Sequence, residues 1–188
     1  MKTHTDVILN IAIIIFGLIG FYTQTVDLIY YTADSNLFLM ASCVIYLIFR
    51  NSYITDLIKY SATLSVTITL LMVIFVLMPL YDFNYHRLIL DGGTFYLHIL
   101  CPLLAIISFV FFENNSIENN LKNNLRAMYF TIIYAVILII LNIERIVVGP
   151  YPFLEVNNQS VLMTFVWIIV ILGGALVLSR ILLYIRRC

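Results

Sequence analysis

Residues Thr94–Phe112 read TFYLHILCPLLAIISFVFF. A helix that crosses a bilayer takes roughly 20 mostly apolar residues. This run meets that length without one Asp, Glu, Lys or Arg. Its one histidine is His98, and Pro102 follows four residues later. An ionisable side chain in such a segment is costly and marks a functional-site suspect by default. A proline ring clashes with the carbonyl four residues back and removes one hydrogen bond to it. That carbonyl belongs to His98, so the expectation is a helix bent, and polar in its backbone, at its histidine.

The rest of the chain supports the same solvent. It is 63% hydrophobic and 11% charged, against about 25% charged in soluble domains. About six apolar segments can be drawn: Val7–Thr25, Tyr31–Phe49, Tyr60–Pro79, Thr94–Phe112, Ala127–Val147 and Ser160–Tyr184. The fold class expected is all-α, a polytopic transmembrane bundle of about six spans in one integral membrane domain over residues 1–188. The second segment must draw Thr32, Ala33, Asp34, Ser35 and Asn36 into or near the membrane. The polar start followed by an apolar run has no small-x-small cleavage site, so Val7–Thr25 reads as a retained first span.

Lys and Arg set the orientation. Eight of the ten fall on the side of the N-terminus and two, Arg87 and Arg145, on the other. Both termini are therefore expected in the cytoplasm. Zero net charge implies no bulk attraction to nucleic acid. Cys43, Cys101 and Cys188 lack metal-type spacing. The first two read as small apolar packers, and Cys188 as an end residue open to acylation. No phosphate loop and no zinc motif occurs. No metal or cofactor is expected.

On this topology the unusual polar residues gather at the outer face. Thr32, Ser35 and Asn36, at i, i+3 and i+4, share one helix face. They can line a polar cleft, or simply hydrogen-bond between helices; Thr32 also suits helix capping. His98 lies early in the fourth segment, as a general base or as a packed, satisfied histidine. Asn142, Glu144 and Arg145 close the fifth segment, where Arg145 reads as a supporting cation or an interfacial anchor. Glu155 follows Tyr151-Pro152-Phe153-Leu154 and reads as a loop charge, a cap, or an acidic partner orienting His98. Asp82, His86, Arg87 and Asp91 occupy the third loop on the same side. The inner charges, Lys59 among them, read as ordinary topogenic anchors.

Three elements in order carry a resemblance: Tyr31-Thr32-Ala33-Asp34-Ser35-Asn36, His98 with Pro102, and Tyr151-Pro152-Phe153-Leu154-Glu155. Together they resemble the androgen-induced protein / androgen-dependent TFPI-regulating protein family, including its bacterial relatives. That resemblance implies a six-span membrane hydrolase of fatty acid esters of hydroxy fatty acids, with Thr32 as nucleophile and His98 as base; it carries Glu155 only as part of its signature. By their placement at the same face, Ser35, Asn36, Arg145 and Glu155 are the candidates for substrate-binding or supporting roles. The Ile- and Asn-rich composition suggests a bacterial source, hence a multi-pass protein of the bacterial plasma membrane. The expected partners are the bilayer and a membrane lipid or fatty-acid ester. The competing expectation is a non-enzymatic lipid-binding or sensing protein using the same outer pocket.

Overall fold

The computed structural model describes residues 4–24, 27–50 and 52–186. Lys2, Thr25, Arg187 and Cys188 lie outside the described residues. The described chain is helix, turn and loop, with no strand. Its helices are α1 (Thr5–Thr23), α2 (Tyr31–Ile48), α3 (Tyr53–Leu80), α4 (Tyr96–Phe112), α5 (Leu121–Ala127), α6 (Tyr129–Ile143) and α7 (Val161–Arg186). Among the described residues, α1, α2, α3 and α7 are long and apolar enough to cross a membrane. A fifth span results if α5 and α6 are taken together, but they meet at a 48° bend. The apolar helix α4 is shorter.

The bend revises the expected continuous Ala127–Val147 segment. The side chains of α5 are drawn into the protein by polar contacts. Asn124 Oδ1 accepts from the Tyr60 hydroxyl at 2.9 Å, and Asn123 Oδ1 from the Tyr53 hydroxyl at 2.7 Å. The apolar helix therefore starts only at Tyr129. It also ends early, at Ile143. There Arg145 takes a left-handed φ of 57°, its N–H bonds to Asn142 O, and the Ile146 N–H bonds to Leu141 O. This pair of bonds is a Schellman ending, with Arg145 in the position usually held by glycine.

Helix α3 is the axis of the fold. It packs against α2, α4, α5, α6 and α7, and its residues from Lys59 to Leu70 are all buried. A buried hydroxyl is costly unless hydrogen-bonded, and most of those in α3 are, although that of Thr63 has no partner. Ser65, Thr67 and Thr69 each bond back to the carbonyl four residues earlier, and Ser61 donates to Ala127 O at 2.7 Å. By contrast α1 and α7 expose most of their apolar side chains, as lipid-facing helices do.

At the end of α3 opposite the third loop, Lys59 is not a topogenic anchor. It is fully buried, 3.6 Å from Glu113 and 2.9 Å from Cys43 Sγ. Ser108 and Asn10 also donate to Glu113, at 2.6 and 3.1 Å. Charges at this depth persist only when paired and hydrogen-bonded. The chain after α4 turns back beneath α3, where Ser116 donates to Asp56 through both its N–H and its hydroxyl. That reversal carries Glu113 to Lys59, so polar residues gather at this end of the bundle as well as at the end near the loop between α3 and α4.

Candidate functional site

The site begins with how α4 accommodates its proline. The helix does not simply break at His98. From Tyr96 to Leu100 it widens into a π turn, with Cys101 N–H bonded to Tyr96 O. In this i→i+5 register, the carbonyl that Pro102 leaves without its donor is that of Leu97, not His98. Asn36 fills the vacancy, its Nδ2 donating to Leu97 O at 2.9 Å. The same amide donates to Thr32 O at 2.8 Å. One buried amide thus ties the first turn of α2, which carries Thr32, to the π turn of α4, which carries His98.

His98 is oriented by a backbone carbonyl, not by a carboxylate. The loop between α3 and α4 contains another π turn, His86–Leu90, and its Leu88 O lies 2.5 Å from His98 Nδ1. A carbonyl only accepts, so Nδ1 must carry the proton in neutral imidazole. Nε2 is then the lone-pair nitrogen, the form a general base needs.

Thr32 and His98 line the same chamber, about 360 Å³ in volume, whose other walls include Asp27, Arg87, Asp91 and Tyr151. The loop carrying Tyr151 folds back tightly. A Cβ on Gly149 would come within 2.8 Å of the Leu154 backbone, so only glycine permits this approach. The Tyr151 ring stacks on Phe153 at 5.2 Å and meets Tyr30 edge-on at 6.0 Å. Burial pushes the Tyr151 phenol up to about 12, opposed by hydrogen bonding with the Thr32 side chain and backbone. Tyr151 is therefore neutral and keeps its proton as a donor.

The remaining expected residues stand apart from the chamber lining. Ser35 turns toward α3, its hydroxyl 2.9 Å from that of Thr69 and bonded to Thr32 O. Asn36 lies behind the chamber wall with both N–H groups engaged. Helix α2 starts at Tyr31 with no side-chain cap, so Thr32 does not serve as one. Arg145 is exposed and shapes the end of α6. Glu155 accepts from Asn158 Nδ2 at 2.7 Å. Neither Arg145 nor Glu155 lines the chamber.

Sequence reasoning gave Tyr151 no chemical role, although it opens the third of the quoted elements. Arg87 and Asp91 enter the sequence reading only as charges of the third loop, and nothing in the sequence singles out Asp27. No protein-family model, no curated protein and no solved structure matches the chain.

Proposed function

We propose that this protein is a membrane-embedded hydrolase of lipid esters, with Thr32 as nucleophile and His98 as general base. The observation that carries the reading is the shared chamber, in which Asn36 ties the Thr32 turn to the His98 turn and Leu88 O fixes the histidine tautomer. His98 Nε2 takes the proton of the Thr32 hydroxyl as its oxygen attacks the ester carbonyl. The carbonyl C–O bond to the alcohol breaks, and His98 returns the proton to the leaving alcohol. Water, deprotonated by the same nitrogen, then cleaves the acyl-threonine. Ser35 and Asn36 have their donors committed elsewhere, so Tyr151 is the hydroxyl best placed to stabilise the oxyanion.

The proposal takes α4 and the α5–α6 pair as spans with α1, α2, α3 and α7, giving six, with both termini in the cytoplasm and the chamber at the outer leaflet. A bacterial plasma membrane suits the composition. An alkyl fluorophosphonate probe tests the nucleophile. Covalent labelling is expected at Thr32 and is expected to vanish in His98→Ala. Lipid that co-purifies while Thr32 stays unlabelled would count against hydrolysis. It would favour a lipid-binding protein using the same chamber.

A further inference from the structure

Helices α6 and α7 follow one another in the chain yet scarcely touch. Each packs instead on the short turn Pro152–Leu154 wedged between them. Neighbouring apolar helices left apart in a membrane leave a groove that something apolar must fill, because voids forfeit dispersion contacts.

The groove adjoins the chamber through shared walls. Thr32, Leu77 and Tyr151 form a wall shared by the chamber and an apolar cleft of about 60 Å³. That cleft in turn shares Ala135, Phe153, Leu154 and Ile171 with an apolar hollow of about 110 Å³ that extends between α6 and α7 to Trp167. Polarity falls in one direction along this path. The chamber carries Asp27, Arg87, Asp91 and His98, whereas the hydroxyls of the cleft are bonded away from it, Tyr31 with Thr131 and Tyr134 to Ile29 O. The outermost hollow is lined almost wholly by carbon.

We infer that the α6–α7 gap is the seat of one acyl chain of the lipid, running from Thr32 past Phe153 to the bilayer at Trp167. The polar end of the same molecule lies in the chamber. The narrow part has the volume of only a few waters, which admits one alkyl chain abreast and not two. Ala135 and Ile171, facing each other across the cleft, then determine which chains are accepted. The inference rests on reading the chamber as a lipid site, and it does not require hydrolysis.

The test uses the full chain in lipid nanodiscs, with Thr32→Ala as an inert background. The probe is a linear C16 fatty-acid ester bearing a diazirine in its alkyl chain. After irradiation, adducts are expected on Phe153, Trp167 or Ile171. Ala135→Trp, which fills the cleft, should reduce them about tenfold, equivalent to about 1.4 kcal/mol of binding, while adducts on lipid-facing Val170 persist. Ala135→Leu, a smaller change, should give an intermediate loss if the tryptophan variant fails to fold. Adducts spread evenly over Ile169 and Val170 and unmoved by either variant would overturn the inference. So would a chain-to-chain crosslink across the α6–α7 gap, which would make a second copy the occupant. Adducts in the gap, with no turnover in the unmodified protein, would sink hydrolysis and leave the acyl seat standing.

Discussion

Asn36 is the residue on which the site geometry turns. It is 1% exposed, and it donates to two carbonyls: Leu97 O, which the proline leaves without a donor, and Thr32 O, which Ser35 also serves. Asn36→Leu keeps the volume but strands the Leu97 carbonyl and cuts the tie between the two turns. Hydrogen bonds between membrane helices are worth about 0.6–2 kcal/mol, and an unsatisfied buried acceptor costs about 1–3 kcal/mol. A loss of about 1–3 kcal/mol in detergent unfolding is expected, together with reduced hydrolysis, because the Thr32 and His98 turns are no longer tied. Unchanged stability would show that the bridge is not made. Arg145 gives the opposite case. A non-glycine residue in the left-handed region costs roughly 1–2 kcal/mol, so Arg145→Gly is expected to raise the melting temperature and leave turnover intact. A loss of turnover on this change would return Arg145 to the site.

At the scale of the element, α4 is where sequence and structure part most instructively. A membrane-length apolar run was plain from composition, and so was the significance of a proline after a histidine. The carbonyl left over was not, because it depends on whether the helix winds with four or five residues between bonded groups. In the π register the freed carbonyl is met by Asn36 on another helix, and no local pattern in α4 reports that bond. Pro102→Ala restores an N–H that can bond to His98 O in the α register, letting Cys101 N–H move to Leu97 O in place of Asn36. The π turn should tighten toward α-helix and rotate His98 away from Leu88 O. Stability is expected to hold or rise while hydrolysis falls at least about tenfold, the signature of a lost general base. Equal turnover in the variant would separate the π turn from function. The bend at Met128 was hidden for a similar reason, since it follows from tertiary bonds of Asn123 and Asn124. Depth along a span was legible, but direction around it was not. That is why Thr32 and His98 share a chamber while Arg145 and Glu155, expected at the same level, point elsewhere.

For the whole molecule, the account places a hydroxyl-rich central helix between two polar ends. One end is sealed: Lys59 and Glu113 neutralise each other in full burial. The other opens into the chamber beneath the third loop. Reading Lys59 as an anchor failed because the sequence does not show the chain after α4 turning back to bring Glu113 to it. The proposed orientation is open to direct measurement. In a cysteine-free background, Asp91→Cys should react with a membrane-impermeant maleimide added outside intact cells, and Asn119→Cys only after lysis. The reverse pattern would invert the topology and put the chamber on the cytoplasmic face.

The most direct measurement is release of fatty acid from a long-chain ester by the purified protein, compared with Thr32→Ala and His98→Ala. The account predicts turnover in the unmodified protein, its abolition in the threonine variant, and a loss of about 10²–10⁴-fold in the histidine variant. Turnover that survives both substitutions would contradict it.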